Sequence, residues 1–181
     1  MMKCVVVGNS PNFDNYGLKI DSYDLVIRVG APILSDDTGY NTDVLITRAN
    51  RIHELNKVYR SAFNYTYAIN EQSDKPCPGQ IIVLSMSEAR TDQLLTYCDQ
   101  VMSLSSNEKP TLGSLAVAYA IQCEYTVTIV GIETDFTSQY ISKGHYGDLK
   151  HVRNNVHHNI YKEMLWLNKL KRRDIIKCID K

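Results

Sequence analysis

The feature that most constrains this chain is a recurring alternation. Short apolar runs rich in β-branched residues lie at 4–7, 25–29, 44–47, 65–69, 81–84, 126–130 and 175–178. Their apolar positions are consecutive rather than alternating, which suits strands buried on both faces. Helical patterns lie between them, over 51–62, 88–97, 112–123 and 156–170. In the third, Leu112, Leu115, Ala116, Tyr119 and Cys123 fall on one stripe; in the fourth, Val156, Ile160, Met164 and Leu167 do. Strands alternating with helices predict an α/β fold: a single-domain, Rossmann-like sandwich over 1–181, with a mostly parallel sheet and helices on both faces. A chain of 181 residues can bury roughly 70% of its unfolded surface in one core. In such sheets ligands bind beyond the carboxyl ends of the strands. The loops after Val7, Val29, Leu104 and Val130 are therefore the places to look for function.

Charge and termini narrow the classes. Twenty Lys and Arg balance 20 Asp and Glu, so the chain lacks the basic footprint of a nucleic-acid partner. The basic cluster Lys169, Lys171, Arg172 and Arg173 reads as a helix C-terminus complementing its dipole. The opening apolar run is too short for the core of a signal peptide. No stretch approaches the roughly 20 apolar residues of a membrane span. The expectation is a chain without a membrane span, cytoplasmic in location. The five cysteines are scattered, with no CxxC pair, so no zinc site is expected. Adjacent Asp36 and Asp37 in a loop read as solvated.

Three segments carry chemistry-bearing residues. The first strand runs into Gly8-Asn9-Ser10, where a missing Cβ lets a ligand approach the backbone and short polar groups follow. This is neither GxGxxG nor a Walker loop, since the required glycines and lysine are absent. In the second, Pro110-Thr111-Leu112-Gly113-Ser114, Thr111 is a candidate N-cap whose helix offers first-turn N–H groups to an anion. Gly113 in that turn suits either a ligand against the backbone or close helix–sheet packing. Gly131 after the next strand adds to the phosphate reading. The third holds His145, His157 and His158; four of the five histidines lie between 145 and 158. Adjacent histidines cannot both face one metal from a helix. A neutral imidazole suits a general base. Glu163, five residues beyond His158, sits about 140° around a helix from it and is not its direct partner.

Taken together, these segments resemble the sialyltransferases of glycosyltransferase family 29. The stretch from Lys3-Cys4-Val5-Val6-Val7-Gly8-Asn9-Ser10 to Ile27-Arg28 is similar to the family's long sialyl motif. Pro110-Thr111-Leu112-Gly113-Ser114 through Gly131 is similar to the short motif. His145-Tyr146-Gly147-Asp148 resembles motif III, and His158 with Glu163 matches the very short motif, H-x4-E. All four stand in family order. A milder likeness exists to bacterial family 42 sialyltransferases. Residues 36–105 match no motif.

The resemblance implies a GT-A-like variant of the Rossmann sandwich. It implies an inverting, metal-independent, cofactor-free transfer of sialic acid from CMP-sialic acid to a glycan or glycolipid hydroxyl. Gly8, Asn9, Ser10, Gly30, Thr111, Leu112, Gly113, Ser114 and Gly131 would line the nucleotide site. His145 would stabilise the departing phosphate, His158 would deprotonate the acceptor, and Glu163 would support the helix. Without a metal, a helix N-terminus and imidazoles carry the leaving group's charge. Two departures stand out: Gly30 precedes Ala31-Pro32 where the family usually has Asn, and Leu112 replaces a hydroxyl residue. The family joins a long-motif cysteine to a short-motif cysteine. Cys4 corresponds to the first and Cys123 lies one place off the second, so free thiols near each other are expected. Two alternatives to the sialic acid reading are a donor such as CMP-Kdo and a catalytically inactive nucleotide-binding module.

Overall fold

The apolar run at the start of the chain, β1 (Lys3–Val7), is the middle strand of a sheet. The computed structural model describes residues 2–9, 15–30, 32, 34–47, 89–132, 134 and 158–179. Beside β1 lie β2 (Leu25–Val29) and β4 (Thr126–Val130); β3 (Val44–Ile46) and β5 (Ile176–Cys178) flank them. The order is β3-β2-β1-β4-β5 and every pair is parallel. Cys4 pairs with Leu25 on one side and Val127 on the other. The direction of winding reverses at β1, which marks the carboxyl ends of β1 and β4 as the place where sheets of this kind bind ligands.

Both faces of the sheet are covered, which explains the unbroken apolar runs. Cys4, Val6, Ile27, Val127 and Ile129 share a core with α2 (Ala89–Met102), α3 (Leu112–Gln122) and α4 (Ile160–Arg172). Val5, Val7, Val26 and Val130 face the other way, against Ile20 of the short α1 (Gly17–Asp21). The α/β sandwich with helices on both faces is thus the observed fold.

Helix ends moved from their expected positions for local reasons. The 88–97 pattern extends to Met102 because Leu94, Cys98 and Met102 continue one buried stripe. In α3, Cys123 is the C-cap, its N–H bonded to the Tyr119 carbonyl at 3.0 Å, with Glu124 following at positive φ. α4 starts late, at Ile160, because the Asn159 side chain accepts from Lys162 N–H and caps it there. Its last turn carries Lys169, Lys171 and Arg172, as expected of a helix C-terminus. Met164 and Leu167 are buried as expected, with Trp166 and Leu170, while Ile160 is half-buried. The expected helix at 51–62 and strands at 65–69 and 81–84 lie outside the described residues.

Polar groups, one of them fully buried, hold the loop between β2 and β3. Arg28 is fully buried; its guanidinium donates to the Asn41 and Thr38 carbonyls, both at 2.8 Å. The Asp21 carboxylate accepts from Tyr40 and Asn41 N–H, and Asp43 accepts from Val26 N–H at 2.7 Å. Asp36 and Asp37 sit in this loop, Asp36 accepting from the Tyr40 hydroxyl and Asp37 from Asn15 N–H.

Cys4, Cys98, Cys123 and Cys178 are free thiols. Cys123 lies near enough to Cys4 to add to its raised pKa, though burial is the main cause. Burial likewise pushes the Cys98 thiol up to about 12. The thiolate is the reactive form, so both should be inert in the folded chain. Alkylation at mildly alkaline pH, mapped by mass spectrometry, should label Cys123 and Cys178 and reach Cys4 and Cys98 only after denaturation. Equal labelling rates for all four in the folded chain would contradict this packing.

Candidate functional site

The site begins with the way α3 is started. Thr111 has extended backbone, and its hydroxyl oxygen accepts from Ser114 N–H at 3.3 Å. A hydroxyl has one proton to give. Thr111 gives it to the Glu163 carboxylate at 2.6 Å, rather than to Ser114 Oγ at 3.4 Å. Thr111 N–H donates to the same carboxylate oxygen at 3.0 Å. Every polar group by which Thr111 could reach a ligand, except its carbonyl, is therefore committed inward. The carbonyl starts the helix by accepting from Leu115 N–H. Ser114 is 1% exposed, so its side chain supports the turn from within. The Leu112 and Gly113 N–H groups remain as the first-turn donors that the cap does not occupy.

Glu163 reaches Thr111 from the first turn of α4 and is 2% exposed. Burial raises its pKa. The Ser114 and Thr111 hydroxyls, the Thr111 amide and the charge of His158 pull it back down. Ser114 acts from close range, although among the described residues no donor sits at Glu163 Oε1 in hydrogen-bonding geometry. The sequence marks Glu163 as structural support. The structure gives that support a definite form, a link between the starts of two helices.

The strand ends meet this turn. Asn9 donates its side-chain amide to the Val29 carbonyl at 2.9 Å, bracing the loops after β1 and β2 together. Gly30 follows at φ +66; a Cβ there would stand 3.1 Å from the Asn9 amide nitrogen and 3.9 Å from Leu112 Cδ1. Leu112 thus turns its side chain towards Gly30 and the core. Gly8 has a packing role of its own. Its N–H donates to the Val130 carbonyl, and a Cβ would collide with the Gly131 carbonyl oxygen. Its missing side chain therefore admits the neighbouring loop. Gly113 is the converse: a Cβ would meet Ile132 at an ordinary 3.6 Å, so packing alone does not require glycine there.

His158 stands beside the same turn. It precedes the N-cap Asn159 and lies outside the helix, so the angular relation expected between His158 and Glu163 does not apply. The expectation that Glu163 is not its direct hydrogen-bond partner agrees with the bonds Glu163 makes to Thr111. His158 Nδ1 lies 2.7 Å from the Lys109 carbonyl oxygen. A carbonyl only accepts, so Nδ1 carries the proton and any base role falls to Nε2. The structure thus brings His158, Glu163, Thr111, Leu112, Gly113 and Ser114 to one place, and Gly8, Asn9, Gly30 and Gly131 to the adjoining strand ends. Ser10, His145 and His157 lie outside the described residues. Sequence reasoning missed two contributors. The Lys109 carbonyl leaves no side-chain trace. Asn159 was legible as an N-cap ahead of an apolar pattern.

Among the described residues, no three His, Cys, Asp or Glu side chains gather to hold a metal. No described helix is long and apolar enough to cross a membrane.

Residues 1–75 match the family model of glycosyltransferase family 29 (sialyltransferase). Type 2 lactosamine alpha-2,3-sialyltransferases of Homo sapiens and Pongo abelii are each 26% identical over 210 residues, covering 96% of this chain and 63% of their own. The chain therefore spans less than two thirds of the length of these relatives. A mammalian sialyltransferase structure aligns over 98% of this chain and 68% of its own, with a TM-score of 0.61 at 20% identity. The sialyltransferase CstII of Campylobacter jejuni, solved with the substrate analogue CMP-3FNeuAc, aligns over 98% and 80%, with a TM-score of 0.54 at 13% identity. The likeness to family 29 read from the motifs is borne out, and a bacterial sialyltransferase shares the fold. The match also reaches residues 36–75, where no motif is recognisable.

The Glu163 geometry predicts a pH signature. A carboxyl with a raised folded-state pKa binds its proton more tightly when native. Its stabilising contribution is full below the ordinary value of 4.5 and is lost as pH rises through the folded value. Glu163→Gln should remove that loss. Urea midpoints compared between wild type and variant from acid to neutral pH should converge or cross as pH rises. A wild type that gains on the variant steadily through the same range would show that the carboxyl is not raised.

Proposed function

We propose that this chain is the donor-binding core of a sialyltransferase. It moves sialic acid from CMP-sialic acid to a glycan or glycolipid hydroxyl with inversion and without a metal. One observation carries the reading: the capped start of α3, whose Leu112 and Gly113 N–H groups the cap does not use and which bond nothing among the described residues, stands beside His158 at the carboxyl ends of the central strands. A helix N-terminus attracts a phosphate through its N–H groups and dipole. An imidazole next to it supplies the base that an attacking hydroxyl needs. The likeness to family 29 supplies the donor, and the names of the relatives make a lactosamine-type acceptor the first to assay.

In the proposed reaction the acceptor hydroxyl gives its proton to His158 Nε2 as its oxygen attacks the anomeric carbon. The bond from that carbon to the CMP phosphate breaks on the opposite side, and its electron pair leaves on the phosphate. The Leu112 and Gly113 N–H groups stabilise the developing charge, where preorganised donors are worth most. His145 is assigned to the same phosphate. Asn9, Ser10, Gly8, Gly30 and Gly131 line the nucleotide side. Thr111 and Ser114 shape the turn. A second reading, an inactive nucleotide-binding module, draws on Leu112, whose side chain packs inward where the family has a hydroxyl. Another CMP-activated acid sugar, such as Kdo, remains the alternative donor.

CMP should raise the melting temperature more than UMP or GMP, with or without EDTA, because a ligand that binds only the folded state stabilises it. Gly113→Ala should fold, since the space exists and alanine favours a helix by up to about 1 kcal/mol, yet lose most of the CMP shift. An unchanged shift in Gly113→Ala, or a larger one with UMP, would remove this nucleotide site.

His158→Ala should cut transfer from CMP-sialic acid by about 10²–10⁴-fold, the usual contribution of a general base, and still bind CMP. His145→Ala should weaken both, and His157→Ala should do little. Release of CMP, with and without acceptor, measures all three. A dead His157→Ala beside an active His158→Ala would move the base by one residue, and two active variants would favour the module.

A further inference from the structure

His158 lies before the helix, so the helix's own hydrogen bonds do not fix its backbone, and its orientation must come from outside. The 103–110 loop, between α2 and α3, supplies it. The ring bonds the Lys109 carbonyl, and Lys109 is held in place by its neighbour Glu108. Glu108 Oε2 accepts from Ser105 N–H at 2.8 Å and from Lys162 Nζ at 2.8 Å, while Oε1 accepts from the Asn159 side-chain amide at 2.6 Å. Glu108 N–H returns a bond to the Ser105 carbonyl at 2.9 Å, closing the turn. Lys162 also donates to the Ser103 carbonyl at 2.8 Å, so it joins the start of the loop to Glu108. Asn159 caps α4 with its oxygen and binds Glu108 with its nitrogen, which fixes its amide orientation.

We propose that Glu108 is a positioning residue for the His158 base. Through Asn159 and Lys162 it locks the 103–110 loop to the start of α4, so that the Lys109 carbonyl meets Nδ1 and the base position falls to Nε2. This rests on the assignment of His158 as base. Glu108 does not touch substrate. Its carboxyl is held down to about 2, first by the Lys162 hydrogen bond and then by those from Asn159 and Ser105, so the clamp is charged wherever transfer would be assayed.

Two single variants cut the link in different ways. Glu108→Gln sets an amide against the donors that the carboxylate accepts from. Asn159→Asp keeps the N-cap, since aspartate caps as well as asparagine, but places a carboxylate against Glu108. If the first fails to fold, the second carries the test. Combined, the two restore the link with reversed polarity, the new amide donating to the new carboxylate.

The direct readout is the imidazole tautomer, from long-range proton–nitrogen NMR on the alkaline side of its titration. Wild type should hold the Nδ1–H form. Each single variant should shift His158 towards Nε2–H, and the double variant should return it. In transfer assays each single variant should lower kcat on the order of 10- to 100-fold, as a slightly misplaced group does, with CMP affinity held. In a His158→Ala background Glu108→Gln should cost nothing more, since groups acting as a unit are not additive. Single variants that keep the wild-type tautomer, or a kcat loss equally large in the His158→Ala background, would overturn the proposal. A fully active His158→Ala would sink the base assignment and, with it, the catalytic part of the proposal, whereas the tautomer result decides the Glu108 clamp alone.

Discussion

The structure depends on a buried carboxylate joined to a single threonine. Glu163 and Thr111 stand 52 residues apart, yet one oxygen of Glu163 takes both the hydroxyl and the amide proton of Thr111. Hydrogen bonds to a charged acceptor contribute about 1.5–3 kcal/mol each, and they work against the burial that raises the Glu163 pKa. What the arrangement secures is geometry. It ties the first turn of α4 to the cap of α3, so the two helix starts are held in one frame beneath the strand ends. Because Thr111 is turned inward, the donors left at the mouth of α3 are the Leu112 and Gly113 amides. His158 is carried into the same neighbourhood by the chain that leads to Glu163.

The central strands set where that frame sits. β1 is bonded on both sides, and its neighbours carry their chains to the same end of the sheet. The glycines at that end have different reasons to be glycine. Gly8 lets the loop after β4 come into contact, Gly30 adopts a left-handed turn beside Asn9, and Gly113 leaves space that no described side chain demands.

Much of the fold was legible in the sequence because burial on both faces leaves consecutive β-branched residues, as in Cys4–Val7, and a covered helix face leaves a stripe, as in α3. The site was legible in part. Thr111 as a cap follows from residue type and the apolar pattern after it, and Glu163 follows from the family motif. The packing role of Gly8 was not legible because a glycine that admits a neighbouring loop and one that admits a ligand look alike in one dimension. The angular argument between His158 and Glu163 failed because Asn159 stops the helix short of His158. The bonds from Glu108 to Asn159 and from Lys109 to His158 span about 50 residues, and a backbone carbonyl leaves no residue-type signal at such a distance.

The most direct test of this account is a titration of the ¹⁵N-labelled chain with CMP, followed at the backbone amides. The account predicts that Leu112 and Gly113 move most, since their N–H groups would take the phosphate, with smaller shifts at Asn9 and Gly30 and little change at Thr111, whose amide stays on Glu163. Large shifts centred elsewhere, with Leu112 and Gly113 unmoved, would contradict it.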